Sequence, residues 1–72
     1  MSRPQKHSLT LKGHRTSVSL EAAFWDAFRK IALARGQTLN GLAAEVDAGR
    51  ESDVGLASAI RVFVLRELTD LS

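Results

Sequence analysis

The side chains with catalytic or metal-binding potential do not combine into a site in this sequence. The chain has no cysteine and two histidines, His7 and His14, and no carboxylate lies close to either in sequence. Two imidazoles without a thiolate or a carboxylate do not complete a metal site. The serines near them have no Asp–His arrangement that suggests a catalytic triad. We therefore predict no catalytic site, no metal and no cofactor, and we do not expect an enzyme.

The basic side chains in the same region indicate a different chemistry. Residues 1–20 carry four basic residues and no acidic one, which gives +4, whereas residues 21–72 carry six basic and eight acidic residues, which gives −2. The four are Arg3, Lys6, Lys12 and Arg15. This asymmetry favours a polyanionic partner at the N-terminal end, and the alternative is a solvated tail with incidental charge.

The segment from Arg15 to Leu20 alternates polar and apolar residues, which is the period of a β-strand, and a helical pattern follows without a gap. An isolated strand leaves its backbone donors and acceptors unsatisfied. A chain of 72 residues is one small domain that is marginally stable alone. We therefore expect this strand to pair with its equivalent in a second copy, as a homodimer or a higher oligomer.

Residues 8–12 also alternate, but with the opposite phase to the strand that follows. One continuous strand would place the two apolar sets on opposite faces. Gly13 lies between the segments and can act as a bulge or a turn. Two alternatives stay open, namely a tight hairpin at Gly13-His14 and an arm that leaves the main strand. We identify no internal repeat and no low-complexity segment.

Three helical patterns follow the strand. The first runs from about Glu21 to Arg35 and ends before Gly36, and the second runs to about Ala48 with Thr38 as its N-cap. The third is expected from about Val54 to Leu71, capped by Ser52 or Asp53. Its apolar stripe is widened by Val62 and Leu65, so we expect it to be buried on more than one side.

The strand, the first helix, a Gly-x-Thr-x-Asn turn and the second helix together resemble the ribbon-helix-helix family of DNA-binding proteins. The residues that carry the resemblance are Arg15-Thr16-Ser17-Val18-Ser19-Leu20 and Gly36-Gln37-Thr38-Leu39-Asn40. Phe24-Trp25-Asp26 and residues 57–65 look like a bacterial subgroup of that family. The resemblance implies a mostly α fold with one short β-strand, and an intertwined homodimer with an intersubunit antiparallel β-ribbon and a third, C-terminal helix. It divides the chain into a basic N-terminal arm (1–14, with a possible strand at 8–12), the ribbon-helix-helix core (15–48), and a linker with the C-terminal helix (49–72).

The resemblance also implies roles for individual residues. A two-stranded ribbon fits the major groove, where its outward side chains meet base edges. The implied base contacts are Arg15, Ser17 and Ser19. The implied phosphate contacts are Thr38, Leu39 and Asn40. We also expect phosphate contacts from Lys12 and from His14, which is next to Arg15; the alternative for His14 is simple exposure to solvent. The implied dimer core consists of Val18, Leu20, Phe24, Phe28, Leu42 and Val46.

The function implied is that of a sequence-specific DNA-binding protein, a bacterial transcriptional regulator such as a repressor, with double-stranded DNA as its partner. The alternative is a protein-interaction module, such as an antitoxin or an adaptor, that docks a partner protein on the C-terminal helix. No apolar run approaches the roughly 20 residues that span a bilayer. We therefore expect no membrane association and a cytoplasmic location.

Overall fold

The computed structural model describes residues 3–70, in which a β-hairpin packs against three helices. The elements are β1 (Gln5–Leu11), β2 (His14–Leu20), α1 (Ala22–Ala34), α2 (Leu39–Gly49) and α3 (Leu56–Asp70). The predicted strand and the three predicted helices are therefore present. A second strand replaces much of the expected arm.

The second strand pairs with β1 of its own chain. The two strands are antiparallel over their whole length, from Gln5 opposite Leu20 to Leu11 opposite His14. The premise that β2 has no partner within the chain is therefore wrong. The sequence pattern underestimated the length of the first strand. β1 begins at Gln5, three residues before the expected segment 8–12, and is as long as β2.

The hairpin turns at Lys12 and Gly13. Both residues have positive φ angles, 51° and 82°, as a two-residue type I′ turn requires, and this turn type matches the twist of the flanking strands. Of the two alternatives left open, the structure therefore has the hairpin, but its turn lies one residue earlier than Gly13-His14, because His14 is the first residue of β2 and pairs with Leu11.

The turn explains the change of phase between the two segments. A two-residue loop pairs odd-numbered positions of β1 with even-numbered positions of β2. Leu9 therefore lies on the same face of the hairpin as Val18 and Leu20, and all three are buried. The phase change that would have split one long strand between two faces is what a hairpin of this length needs to form a single apolar face.

The apolar face of the hairpin and one side of each helix enclose a single core. Its buried members are Leu9, Leu11, Val18, Leu20, Phe28, Ala32, Leu42, Ala43, Ile60 and Val64. Four residues assigned to a dimer core are among them, and the other two, Phe24 and Val46, pack against it half-buried. Elements of one chain are thus sufficient to bury these side chains.

The connection between α1 and α2 follows the predicted cap chemistry. Gly36 has a positive φ of 67°, and the N–H groups of Gly36 and Gln37 donate to the carbonyls of Leu33 and Ala32 at 3.1 and 2.9 Å. This is a Schellman end. Thr38 then caps α2, because its Oγ1 accepts a hydrogen bond from the Gly41 N–H at 2.9 Å. The predicted N-cap is confirmed.

The third helix differs from its prediction at several points. It begins at Leu56, after a turn in which the Val54 N–H donates to the Glu51 carbonyl, so the predicted caps Ser52 and Asp53 are wrong. Its predicted end at Leu71 lies outside the described residues. Val62 and Leu65 are 45% and 62% exposed, so burial on more than one side is also wrong. Within the described chain, no helix is long and apolar enough to cross a membrane.

Candidate nucleic-acid interface

Six side chains point away from the core on the outward face of the hairpin. They form three directly opposed pairs, which are Lys6 with Ser19, Ser8 with Ser17, and Thr10 with Arg15. All six residues are exposed. Residues 1–20 contain no acidic side chain, so the outward face combines two long cations with four hydroxyl groups and carries no carboxylate.

The strand pairing places Arg15, Ser17 and Ser19 together on this face, as the resemblance implied. Sequence reasoning missed the three side chains that β1 adds. A signal for them exists, because Lys-His-Ser-Leu-Thr-Leu (6–11) is followed after nine residues by Arg-Thr-Ser-Val-Ser-Leu (15–20). In both segments the six successive positions hold a basic residue, a variable residue, a serine, an aliphatic residue, a residue with a hydroxyl group and a leucine. The statement that the chain has no internal repeat is therefore wrong.

The N-terminus of α2 is tied to the edge of the hairpin. The Asn40 Oδ1 accepts a hydrogen bond from the Thr10 N–H at 3.1 Å, across 30 positions of sequence. This contact places Thr38, Leu39 and Asn40 beside the end of the ribbon that carries Arg15. Leu39 and Asn40 are the first two helical positions, whose N–H groups have no partner within a helix.

Lys12 and His14, the other two expected phosphate contacts, are both exposed near the turn. His14 lies opposite Leu11 and therefore on the inner side of the hairpin. Together with Asp47 and Arg50 it lines a cleft between the hairpin tip and α2. The structure thus separates His14 from the outward face on which Arg15 lies.

The other end of the ribbon is held by α3 through Arg61. Its Nε and Nη2 donate to the Glu21 carboxylate at 2.9 and 3.2 Å, and Nη2 also donates to the Ser19 carbonyl at 3.4 Å. The hydrogen bond from Arg61 lowers the pKa of Glu21 below its ordinary value. Sequence reasoning missed Arg61, because 40 residues separate it from Glu21 and no local pattern links them.

His7 and Trp25 lie on the inner side of the hairpin and stack on each other. Their ring centroids are 3.9 Å apart, with the planes inclined by 6°. Trp25 is half-buried and packs against the core. The Trp25 ring is therefore part of the packing between the hairpin and α1.

Comparison with known proteins gives one match. The family model described as a ribbon-helix-helix domain matches residues 4–68, which include both strands, α1, α2 and most of α3. No curated protein and no solved structure matches the chain significantly.

Proposed function

Because the chain belongs to the ribbon-helix-helix domain family, we propose that it is a sequence-specific DNA-binding transcriptional regulator. Proteins of this family are in general DNA-binding transcription regulators rather than enzymes, and they typically form dimers. In this proposal the protein is a homodimer that acts as a repressor in the cytoplasm of a bacterial cell.

The outward face of the hairpin is the observation that carries the proposal. Neighbouring strands lie about 4.8 Å apart, and the major groove is about 12 Å wide, so a two-stranded ribbon fits into it. Base edges in that groove offer hydrogen-bond acceptors and donors. The exposed cations and hydroxyl groups of this face match that demand, and the absence of carboxylates avoids repulsion from phosphate.

Arg15, Ser17 and Ser19 are the proposed base contacts. The Arg15 guanidinium is long enough to bind O6 and N7 of a guanine in a fork, and a serine hydroxyl can donate or accept. Since both serines are short, Arg15 is the residue of β2 expected to contribute most to base preference.

The proposed phosphate contacts are Lys12, His14 and the first turn of α2. The Leu39 and Asn40 N–H groups supply two donors beside the positive end of the helix dipole. The Asn40 side-chain Oδ1 accepts a hydrogen bond from the Thr10 N–H, which leaves the side-chain Nδ2 as a donor. Thr38 keeps its hydroxyl hydrogen, since Oγ1 accepts rather than donates in the cap.

A homodimer needs an interface on surface that is not already occupied by contacts within one chain. β1 occupies one edge of β2, so an intersubunit ribbon would require the second edge of β2 or the displacement of β1. The Ser19 carbonyl on that second edge accepts a hydrogen bond from Arg61. Sedimentation at micromolar concentration tests the dimer, and a folded monomer would contradict it.

DNA binding is tested by titrating random duplex DNA at several salt concentrations. A dimer that contacts roughly 4–8 phosphates should show a slope of log K against log salt of about −4 to −7. Affinity that is the same at low and physiological salt would refute the proposal.

Arg15→Ala then separates base reading from phosphate binding. It should relax the preferred base where Arg15 binds, at a cost of roughly 1–3 kcal/mol per contact. Arg66→Ala, which removes an exposed cation from α3, is the matched control and should leave the preferred sequence unchanged. If Arg15→Ala weakens all sequences equally, Arg15 is a phosphate contact only.

A second candidate function is a protein-interaction module, as an antitoxin or adaptor. It is favoured by the exposed apolar side chains of α3, since Val62, Leu65 and Leu68 are 45%, 62% and 54% exposed. Leu65→Ser should then abolish binding of a partner protein while DNA affinity stays unchanged, as measured by calorimetry and by gel shift. A partner protein bound equally well by Leu65→Ser would contradict docking at this face.

A further inference from the structure

The repeat in the two strands coincides with the symmetry of the hairpin. An antiparallel pair has a local two-fold axis that passes between two directly opposed residues. In this hairpin the axis between Ser8 and Ser17 relates each residue of β1 to the residue nine positions later in β2. It therefore relates Lys6 to Arg15 and Thr10 to Ser19, which are residues of the same chemical type.

The same axis relates the inner sides of the two strands. It carries Leu9 onto Val18 and Leu11 onto Leu20, and all four residues are buried. The buried positions thus repeat with aliphatic side chains and the outward positions with cationic and hydroxyl side chains, whereas His7 and Thr16 on the inner side differ. Core packing requires the repeat on the inner face, but it does not require one on the exposed face.

We propose that one chain carries a complete, quasi-two-fold reading face for duplex DNA. Lys6, Ser8 and Thr10 of β1 are the counterparts of the three base contacts on β2. The inference rests on the proposed function and adds a second row of specificity-determining residues to it. In this arrangement β1 takes the place that the strand of a second copy would hold in an intersubunit ribbon.

The two long cations lie at opposite ends of the face. Lys6 is opposite Ser19, four residues along β2 from Arg15, which corresponds to about 14 Å along the ribbon. That distance covers about three or four base pairs of duplex DNA. Since lysine and arginine both bind the O6 and N7 of guanine, one chain should prefer guanines at two positions with this separation.

The width of the groove favours a ribbon from one chain over a sheet from two. If two hairpins joined through the second edges of their β2 strands, the outer strands would lie about 14 Å apart. The major groove is about 12 Å wide, so such a sheet would not enter it as a ribbon. The reading unit is therefore the hairpin of one chain, and dimer contacts should lie away from that second edge, where the Ser19 carbonyl already accepts a hydrogen bond from Arg61.

The inference is tested by selecting sequences from random duplex DNA with the wild type and three variants. Lys6→Ala should relax the preferred base at one position and Arg15→Ala at another, about three or four base pairs away, each by roughly 5- to 100-fold in discrimination. Lys6→Arg should strengthen the preference that Lys6→Ala removes. Arg66→Ala serves again as the control for the loss of one exposed positive charge.

The outcomes separate this inference from the proposed function. No salt-dependent binding of duplex DNA by the wild type would refute the proposed function itself. If the wild type selects a sequence and Lys6→Ala selects the same one, only the inference is overturned. A uniform loss of affinity, with a salt slope shallower by about one unit per bound chain, would also overturn it, because Lys6 would then contact phosphate.

Discussion

A disulfide across the hairpin tests whether the ribbon forms within one chain. Ser8 and Ser17 are directly opposed. Counting from the pair that flanks the turn, they form a pair without mutual hydrogen bonds, with Cα atoms about 4.5 Å apart. A disulfide accepts Cα separations of about 4.4–6.8 Å. Because the chain has no other cysteine, the only bridge that a Ser8→Cys/Ser17→Cys variant can form within one chain joins these two positions.

The expected stabilisation follows from the length of the closed loop. A bridge that encloses the ten residues from 8 to 17 removes enough entropy from the unfolded chain to stabilise the fold by about 2.7 kcal/mol. For a chain of this size that corresponds to a rise in Tm of about 10–20 °C. Urea titration of the same variant, oxidised and reduced, measures the difference directly.

Two results would refute the intrachain hairpin. One is an oxidised variant that runs as a disulfide-linked dimer on a non-reducing gel. The other is an intramolecular bridge that leaves the free energy of unfolding unchanged or lowers it. Ser17→Cys alone is the control, and it should remain a free thiol in dilute solution because β1 presents no cysteine to it.

Substitutions at three further positions probe the core, the cap and the ion pair. Val18→Asp puts a charge at a position that is 4% exposed, which should cost several kcal/mol and abolish the helical circular dichroism signal; a folded variant would show that this position is not dry. Thr38→Ala should lower the free energy of unfolding by about 1 kcal/mol, measured by urea titration, and should lower the affinity for all DNA sequences alike, measured by gel shift. Thr38→Ser should retain both the stability and the DNA affinity of the wild type. Because Arg61 lowers the pKa of Glu21, their pair stabilises the fold above the ordinary carboxyl pKa, and this stability is lost as the pH falls through the lowered value. Glu21→Gln should therefore destabilise the protein at neutral pH and reduce its acid sensitivity in urea titrations, and an unchanged pH profile would contradict this account.

Local patterns predicted the parts of the fold that local chemistry determines. The helical period and the glycine at position 36 located α1 and its end, and Thr38 marked the start of α2. The alternation of residues 15–20 also matched the burial of Val18 and Leu20, whereas Thr16 on the same side is exposed. Each of these features depends on residues that are close to one another in sequence.

Features that depend on distant residues were beyond those patterns. The Arg61 contacts with Glu21 and Ser19 span 40 and 42 positions, so no local sequence pattern around these residues predicts them. The bond from Thr10 to Asn40 is of the same kind. The hairpin is a different case, because its repeat was visible in the sequence, but the change of phase concealed that both strands share one apolar face.

The repeat also makes the two strands exchangeable. Because β1 and β2 present similar side chains at their buried and outward positions, β2 of another copy can take the place of β1 beside β2, and the displaced β1 then exposes Leu9 and Leu11. The two-residue turn holds β1 at an effective concentration in the millimolar range, so a second chain at micromolar concentration competes at a disadvantage of about a thousandfold. A longer turn or a crowded array of copies on DNA would reduce that advantage and shift the balance towards strand exchange.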